Sequence, residues 1–152
     1  MRVLCSSTPM EGVFMPFVPL GRALLAAGHE VLVATGPDLQ SRVAGDGFAT
    51  AVAGPTAMDA AITAMADPEV SNAPGGESWH FGAAMFGGVI APAKLPALRQ
   101  LVDDFRPDLV VHPPVDVAAP LVAAEHGLAS VAYGFGQLLR CHSRHFESFF
   151  IP

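Results

Sequence analysis

Charged residues are scarce in this chain of 152 residues: only 14% are Asp, Glu, Lys or Arg, against 51% hydrophobic residues. This balance excludes an intrinsically disordered chain, which combines high charge with few apolar residues. The eight basic residues are scattered and the net charge is -6, whereas nucleic acids and anionic membranes bind clustered cations. We therefore predict one compact domain that binds neither nucleic acid nor a membrane surface.

Cysteine is also rare, and no targeting segment is apparent. Cys5 and Cys141 are the two cysteines, and such a widely spaced pair is typical of a reducing compartment. Whether they form a bridge is left open by the sequence. Strand-like residues follow Met1 and Arg2 at once, in place of an apolar signal-peptide segment, and no 18-residue membrane span stands out. We therefore expect a cytoplasmic protein without a membrane span.

Short apolar runs alternate with amphipathic segments along most of the chain. Strands are predicted at 2–6, 29–35, 48–53, 107–112 and 129–134. Helices are predicted after Pro16, near 38–46, at 55–68, at 95–105 and at 117–126, with loops at 7–15 and 69–78. Repeated strand–helix–strand units indicate an α/β fold: a Rossmann-like parallel sheet with helices on both faces.

The loops that follow the strands are the expected ligand site, because open α/β sheets bind ligands at the carboxyl ends of their strands. The loop after the first strand lacks the glycines of a phosphate cradle, since neither GxGxxG nor GxxxxGK[ST] occurs. It carries Met10, Phe14 and Met15 instead. These adaptable apolar side chains suit an apolar small molecule, although packing beneath the next helix is an equal alternative.

A second apolar candidate is the segment that follows the glycine-rich loop at 69–78. Trp79, Phe81, Met85 and Phe86 lie within it. They suit the lining of a hydrophobic pocket beneath a mobile lid. A packed irregular helix explains the same residues equally well.

Polar candidates are fewer. Asp116 follows the strand at 107–112 and precedes a predicted helix. A carboxylate at this position can orient a catalytic base or a substrate hydroxyl. The spacing alone favours the other interpretation, an ordinary helix N-cap that stabilises the helix by about 1 kcal/mol. His112 lies near the same edge. Cys141, His142 and His145 lack a fourth ligand at zinc-like spacing, so we expect no metal site.

Two blocks of the sequence resemble one enzyme family. They are "MRVLCSSTP…GVFMPFVPLGRALLAAGHEVLVAT" and "PDLVVHPPVDVAAPLVAAEHGLASVAYGFG". They resemble the glycosyltransferases of the UDP-glycosyltransferase-like superfamily that decorate antibiotics and other natural products in actinomycete-like bacteria. The resemblance covers residues 1–139 and implies the N-terminal, acceptor-binding half of a two-domain GT-B fold. It also implies inverting transfer of a sugar from a nucleotide diphosphate to an acceptor hydroxyl, without a metal.

The family places a histidine in the first loop, where it takes the acceptor proton while an acidic residue orients it. Asp116 matches the acidic position, but Val13 occupies the position of the base. His80 or His112 would substitute only if the fold brings one of them within hydrogen-bond range of the acceptor. We therefore expect the chain alone to be inactive as a transferase.

The second departure from the family is length. On this comparison we expect that the donor-binding domain is absent from these 152 residues and that residues 140–152 form an atypical tail. We expect no cofactor in this chain, and a nucleotide-diphosphate sugar donor only together with a C-terminal domain. A frameshifted reading frame, an N-terminal piece made deliberately and a natural half of a split enzyme all remain open.

Two partners follow from the resemblance. By loop position and residue type, an apolar polycyclic or macrocyclic acceptor is expected to contact nine residues: Met10, Val13, Phe14, Met15, Trp79, Met85, Phe86, His112 and Phe135. The donor domain, supplied separately, is a further possible partner. The alternative function is a non-catalytic helper that pairs with a full-length glycosyltransferase through an exposed apolar face.

Overall fold

In a computed structural model the chain forms a five-stranded parallel sheet, and the structure describes residues 1–72 and 78–134. Across the sheet the strand order is β3-β2-β1-β4-β5, with every pairing parallel. The strands are β1 (Arg2–Ser6), β2 (Glu30–Thr35), β3 (Ala49–Val52), β4 (Leu109–His112) and β5 (Ala129–Ala132). This order confirms the predicted Rossmann-like α/β fold.

Helices connect the strands in the described part of the chain. They are α1 (Glu11–Phe14), α2 (Phe17–Ala26), a 3₁₀ turn (Pro37–Leu39) with α3 (Gln40–Gly45), α4 (Ala57–Met65), α5 (Pro68–Ser71), α6 (Ser78–Ala83), α7 (Ala91–Phe105) and α8 (Ala118–Glu125). Helix α2 ends at Ala26, and Gly28 follows its C-cap with a φ of 80°, which a glycine adopts without strain. The predicted loop at 7–15 is partly wrong, because the Met10 carbonyl accepts the N–H groups of Val13 and Phe14 and begins α1.

A continuous helix runs from His80 to Phe105 and joins α6 to α7 through a π-helical segment at Ala84–Ile90, so of the two alternatives for this segment the structure supports the packed irregular helix. Low helix propensity at Gly87 and Gly88 favours the irregular segment that the sequence predicts, but packing against α4 holds the segment helical. Within the described ranges, this helix is long and apolar enough to cross a membrane by length and composition. One such helix is weak evidence for a membrane span, because the core helix of a soluble protein passes the same test; the predicted lack of a membrane span stays a prediction.

The core has two layers, one on each face of the sheet. On one face, Phe14, Phe17 and Phe48 form a triangle with ring centroids 5.7–6.3 Å apart. Gly21 makes room for it, since a Cβ there would lie 2.6 Å from the Phe48 ring. On the other face, α7 and α8 cover the sheet with the side chains Leu98, Val102 and Val122.

Candidate functional site

The candidate site lies where the carboxyl ends of β1 and β4 meet. β1 and β4 are neighbours in the sheet. From β1 the chain continues to β2, which lies on the opposite side of β1 from β4. This is a topological switch point, at which open α/β sheets form a crevice. Ser6 ends β1, His112 ends β4, and Asp116 follows in the next turn. All three side chains are buried.

Both oxygens of the Asp116 carboxylate accept hydrogen bonds. Its Oδ2 accepts from Ser6 Oγ at 2.7 Å and from Lys94 Nζ at 2.5 Å. Its Oδ1 accepts from the Ala119 N–H at 3.3 Å, at the start of α8. Asp116 is only 2% exposed. The residue therefore combines a contact to the first turn of α8 with a buried ion pair.

Lys94 is absent from the residues that the sequence singles out, although it is the single lysine of the chain. It is completely buried on α7, and its Nζ also donates to the Ser7 carbonyl at 2.9 Å. Lys94, Leu98 and Val102 lie on the buried side of α7 at intervals of four residues. Counting back four residues from Leu98, about one helical turn, reaches Lys94. The helical period of the apolar residues therefore indicates that this lysine lies in the interior.

The electrostatics of the site favour an ionised carboxylate. Burial alone would raise the pKa of Asp116, but attraction to Lys94 and hydrogen bonds from Lys94, Ser6 and Ala119 together lower that pKa below its ordinary value. At the neighbouring Cys5 thiol, burial is the largest effect and raises the pKa well above the ordinary value. The site thus holds one fixed ion pair beside a neutral thiol.

Position 13 is linked to the same site through Tyr133. The Tyr133 hydroxyl donates to the Val13 carbonyl at 3.1 Å, and its ring packs 5.7 Å from that of Phe17. Burial raises the pKa of Tyr133 above its ordinary value, so the phenol is neutral and remains a donor. Val13 itself is half-buried and has no side-chain atom that accepts a proton.

His112 is the described histidine closest in sequence to Asp116 at this edge. Its Nδ1 lies 3.0 Å from the Pro113 carbonyl, which can only accept a hydrogen bond. The neutral ring therefore carries its proton on Nδ1 and its lone pair on Nε2. The side chain is 8% exposed. His80 is half-buried on α6.

The predicted apolar residues separate into different environments. Met10, Met85 and Phe86 meet in one cluster, together with Phe81, against α4. Phe14 instead belongs to the core triangle and is fully buried. For this side chain the alternative of packing beneath the next helix is therefore confirmed, and the predicted contact with an acceptor is wrong. Met15 is 46% exposed, and its sulfur lies 2.8 Å from an Arg42 nitrogen.

Some candidates fall outside the described residues. Phe135 and the cluster of Cys141, His142 and His145 lie beyond residue 134, and the side chain of Trp79 is also not described. Met85 is only 5% exposed, so its predicted contact with an acceptor is not supported and the apolar surface of this cluster depends on Met10 and Phe86.

Comparison with known proteins gives a consistent result. Residues 22–149 match the family described as erythromycin biosynthesis protein CIII-like, N-terminal domain. The chain is 41% identical, over 140 residues, to L-demethylnoviosyl transferase of Streptomyces niveus, a match that covers 90% of this chain and 35% of that protein.

Two solved structures are similar as well. The glycosyltransferase SsfS6 of Streptomyces sp. SF2575 has a TM-score of 0.77 and 31% identity, over 88% of this chain and 39% of its own. The spinosyn rhamnosyltransferase SpnG, solved with spinosyn aglycone, has a TM-score of 0.69 and 27% identity, over 88% and 34% of the respective chains. The chain thus spans little more than a third of the length of these relatives.

Proposed function

Since the chain belongs to the family of erythromycin biosynthesis protein CIII-like N-terminal domains, which confirms the predicted resemblance to antibiotic glycosyltransferases, we propose that it binds the acceptor in an inverting glycosyltransferase. The complete reaction moves a sugar from a nucleotide diphosphate to a hydroxyl of an apolar natural product. The relatives named above support sugar transfer, and SpnG was solved with an aglycone.

The observation that carries this proposal is the apolar cluster beside the loop after β1. Met10 from that loop packs with Met85 and Phe86 from the π-helical segment. Met10 and Phe86 are half-buried, so they present apolar surface near the carboxyl edge of the sheet. Methionine adapts to irregular apolar shapes, which suits a bulky aglycone.

The catalytic part of the proposal is that this chain does not transfer sugar by itself. Val13 cannot act as a general base, and the proposed donor site belongs to a separate domain. His112 offers a lone pair on Nε2, but it would act only with an acceptor hydroxyl within hydrogen-bond range. The cytoplasmic location and the binding of no cofactor by this chain alone remain predictions.

Acceptor binding can be tested by titration. The fluorescence of the single tryptophan, Trp79, is followed while spinosyn aglycone or a polycyclic aglycone is added. We expect a saturable shift that Met10→Ala weakens and that the control Met58→Ala, at an exposed methionine of α4, leaves unchanged. The absence of a saturable shift with every aglycone would count against the proposed function.

One observation favours the alternative of a helper that pairs with a full-length glycosyltransferase. Met58, Ile62 and Met65 lie on α4 at spacings of four and three residues and are 60–68% exposed. Such an apolar stripe is typical of a protein contact. Co-elution with a full-length relative that Ile62→Glu abolishes, without loss of aglycone binding, would support this alternative. A chain that elutes alone in both forms would contradict it.

A further inference from the structure

We propose that Lys94 is a positioning residue that withholds the Asp116 carboxylate from the base position at Val13. This inference rests on the proposed function, because that function supplies the pairing of positions 13 and 116. In that pairing, the acidic residue orients a histidine. In this chain the same carboxylate is bound by a lysine from α7.

The geometry leaves the carboxylate little freedom to take another partner. Lys94 Nζ and Ser6 Oγ both donate to Oδ2, and the Ala119 N–H donates to Oδ1. The side chains of Lys94 and Asp116 are 0% and 1% exposed. A new partner would have to reach this buried carboxylate and compete with the ammonium group for its charge, and removing Lys94 from it would leave a buried charge unpaired.

The surrounding structure is shaped to admit the lysine. Gly54, in the loop after β3, has a φ of 91°, and a Cβ there would lie 2.6 Å from Lys94 Cγ. The lysine stem passes this glycine, and its ammonium group then reaches the Ser7 carbonyl and Asp116. One side chain therefore connects the loops after β1, β3 and β4.

The consequence for position 13 is electrostatic. The carboxylate and the ammonium group together carry little net charge, so the pair stabilises a nearby protonated imidazole only weakly. Among the other titratable groups at this edge, burial keeps Cys5 and Tyr133 neutral, and His112 lies at the end of β4. Tyr133 also donates to the Val13 carbonyl, which ties position 13 to this network. Restoring histidine at 13 is therefore not sufficient to restore the pairing.

Three variants of the full chain test this inference by NMR titration of the introduced imidazole. They are Val13→His, Val13→His with Lys94→Met, and Val13→His with both Lys94→Met and Asp116→Asn. We expect the imidazole pKa to be near the ordinary value of about 6.5 in the first variant. It should rise by about 1 or more in the second, where the carboxylate is released, and return to the first value in the third.

The outcomes separate the inference from the proposed function. An imidazole pKa that is already raised in Val13→His, and falls in the triple variant, would overturn the inference but support the pairing of 13 with 116. A pKa that is unchanged in all three would overturn both. If Val13→His with Lys94→Met does not fold, Val13→His with Lys94→Gln takes its place, because glutamine removes the positive charge but keeps an N–H donor for the buried acceptors Asp116 and Ser7; the same rise in the imidazole pKa supports the inference and its absence overturns it.

Discussion

Replacing Lys94 with methionine removes one charge of a buried pair while keeping a side chain of similar length. The partner Asp116 is 2% exposed, so solvent cannot replace the lost ammonium group, and the Ser7 carbonyl loses its donor as well. Removing one member of a buried ion pair costs about 3–5 kcal/mol. Because a domain is typically stable by about 5–15 kcal/mol, we expect a large, measurable loss of stability.

The assay is urea unfolding followed by far-UV circular dichroism, applied as a double-mutant cycle with Lys94→Met and Asp116→Asn. Asparagine keeps the shape of the carboxylate and can accept from Ser6. The double variant should lose far less than the sum of the single variants, with a coupling energy of at least about 2 kcal/mol. Additive losses would refute the idea that the pair acts as a unit.

The matched control is Arg99→Met, which breaks the ion pair between Arg99 on α7 and Glu125 on α8. These side chains are 45% and 44% exposed, so water screens their attraction and replaces the lost hydrogen bonds. We expect a much smaller loss of stability than for Lys94→Met. Equal losses in the two variants would mean that burial does not set the strength of the Lys94–Asp116 pair.

Three further predictions follow from the fold. The pKa of Asp116 is lowered in the folded state, so its carboxylate stabilises the fold above its unfolded pKa of about 3.9. This contribution is lost as the pH falls through the folded pKa. Asp116→Asn should therefore make the free energy of unfolding depend less on pH between pH 5 and pH 2. Gly54→Ala should lower the urea midpoint more than Gly28→Ala, because both need a positive φ but only the first meets Lys94; equal shifts would contradict this contact. Phe14→Ala should cost about 3–5 kcal/mol in the same assay, and a loss below about 1 kcal/mol would be inconsistent with its full burial.

The sheet could be predicted because its strands are short apolar runs that end at recognisable signals. Gly28 follows α2 with a positive φ, a typical helix-end signal. The strands β1, β2 and β4 are buried on both faces, which gives them nearly continuous apolar sequences. Asp116 could be found for a related reason. It follows a buried strand, and its position in the next turn predicts a place at the ligand edge.

Lys94 could not be found in the same way. Pro96 indicates a helix that begins at Leu95, whereas α7 begins at Ala91 and includes Pro96 in its interior. A lysine just outside a predicted helix is taken to be solvated, and only the carboxylate of Asp116, 22 residues further on, makes its burial favourable. For the π-helical segment the sequence left two alternatives open, because the low helix propensity of Gly87 and Gly88 opposes a helix while the tertiary packing against α4 favours one.

The central position of β1 has a consequence for the order of folding during synthesis. β1 pairs with β2 and with β4, and the bonds from Ser6 to Asp116 and from Tyr133 to Val13 join residues 110 and 120 positions apart. Contacts of such long sequence separation form slowly. A nascent chain that has not yet reached His112 exposes one edge of its central, buried strand, so the ribosome-bound intermediate is the stage at which this protein most needs protection from aggregation.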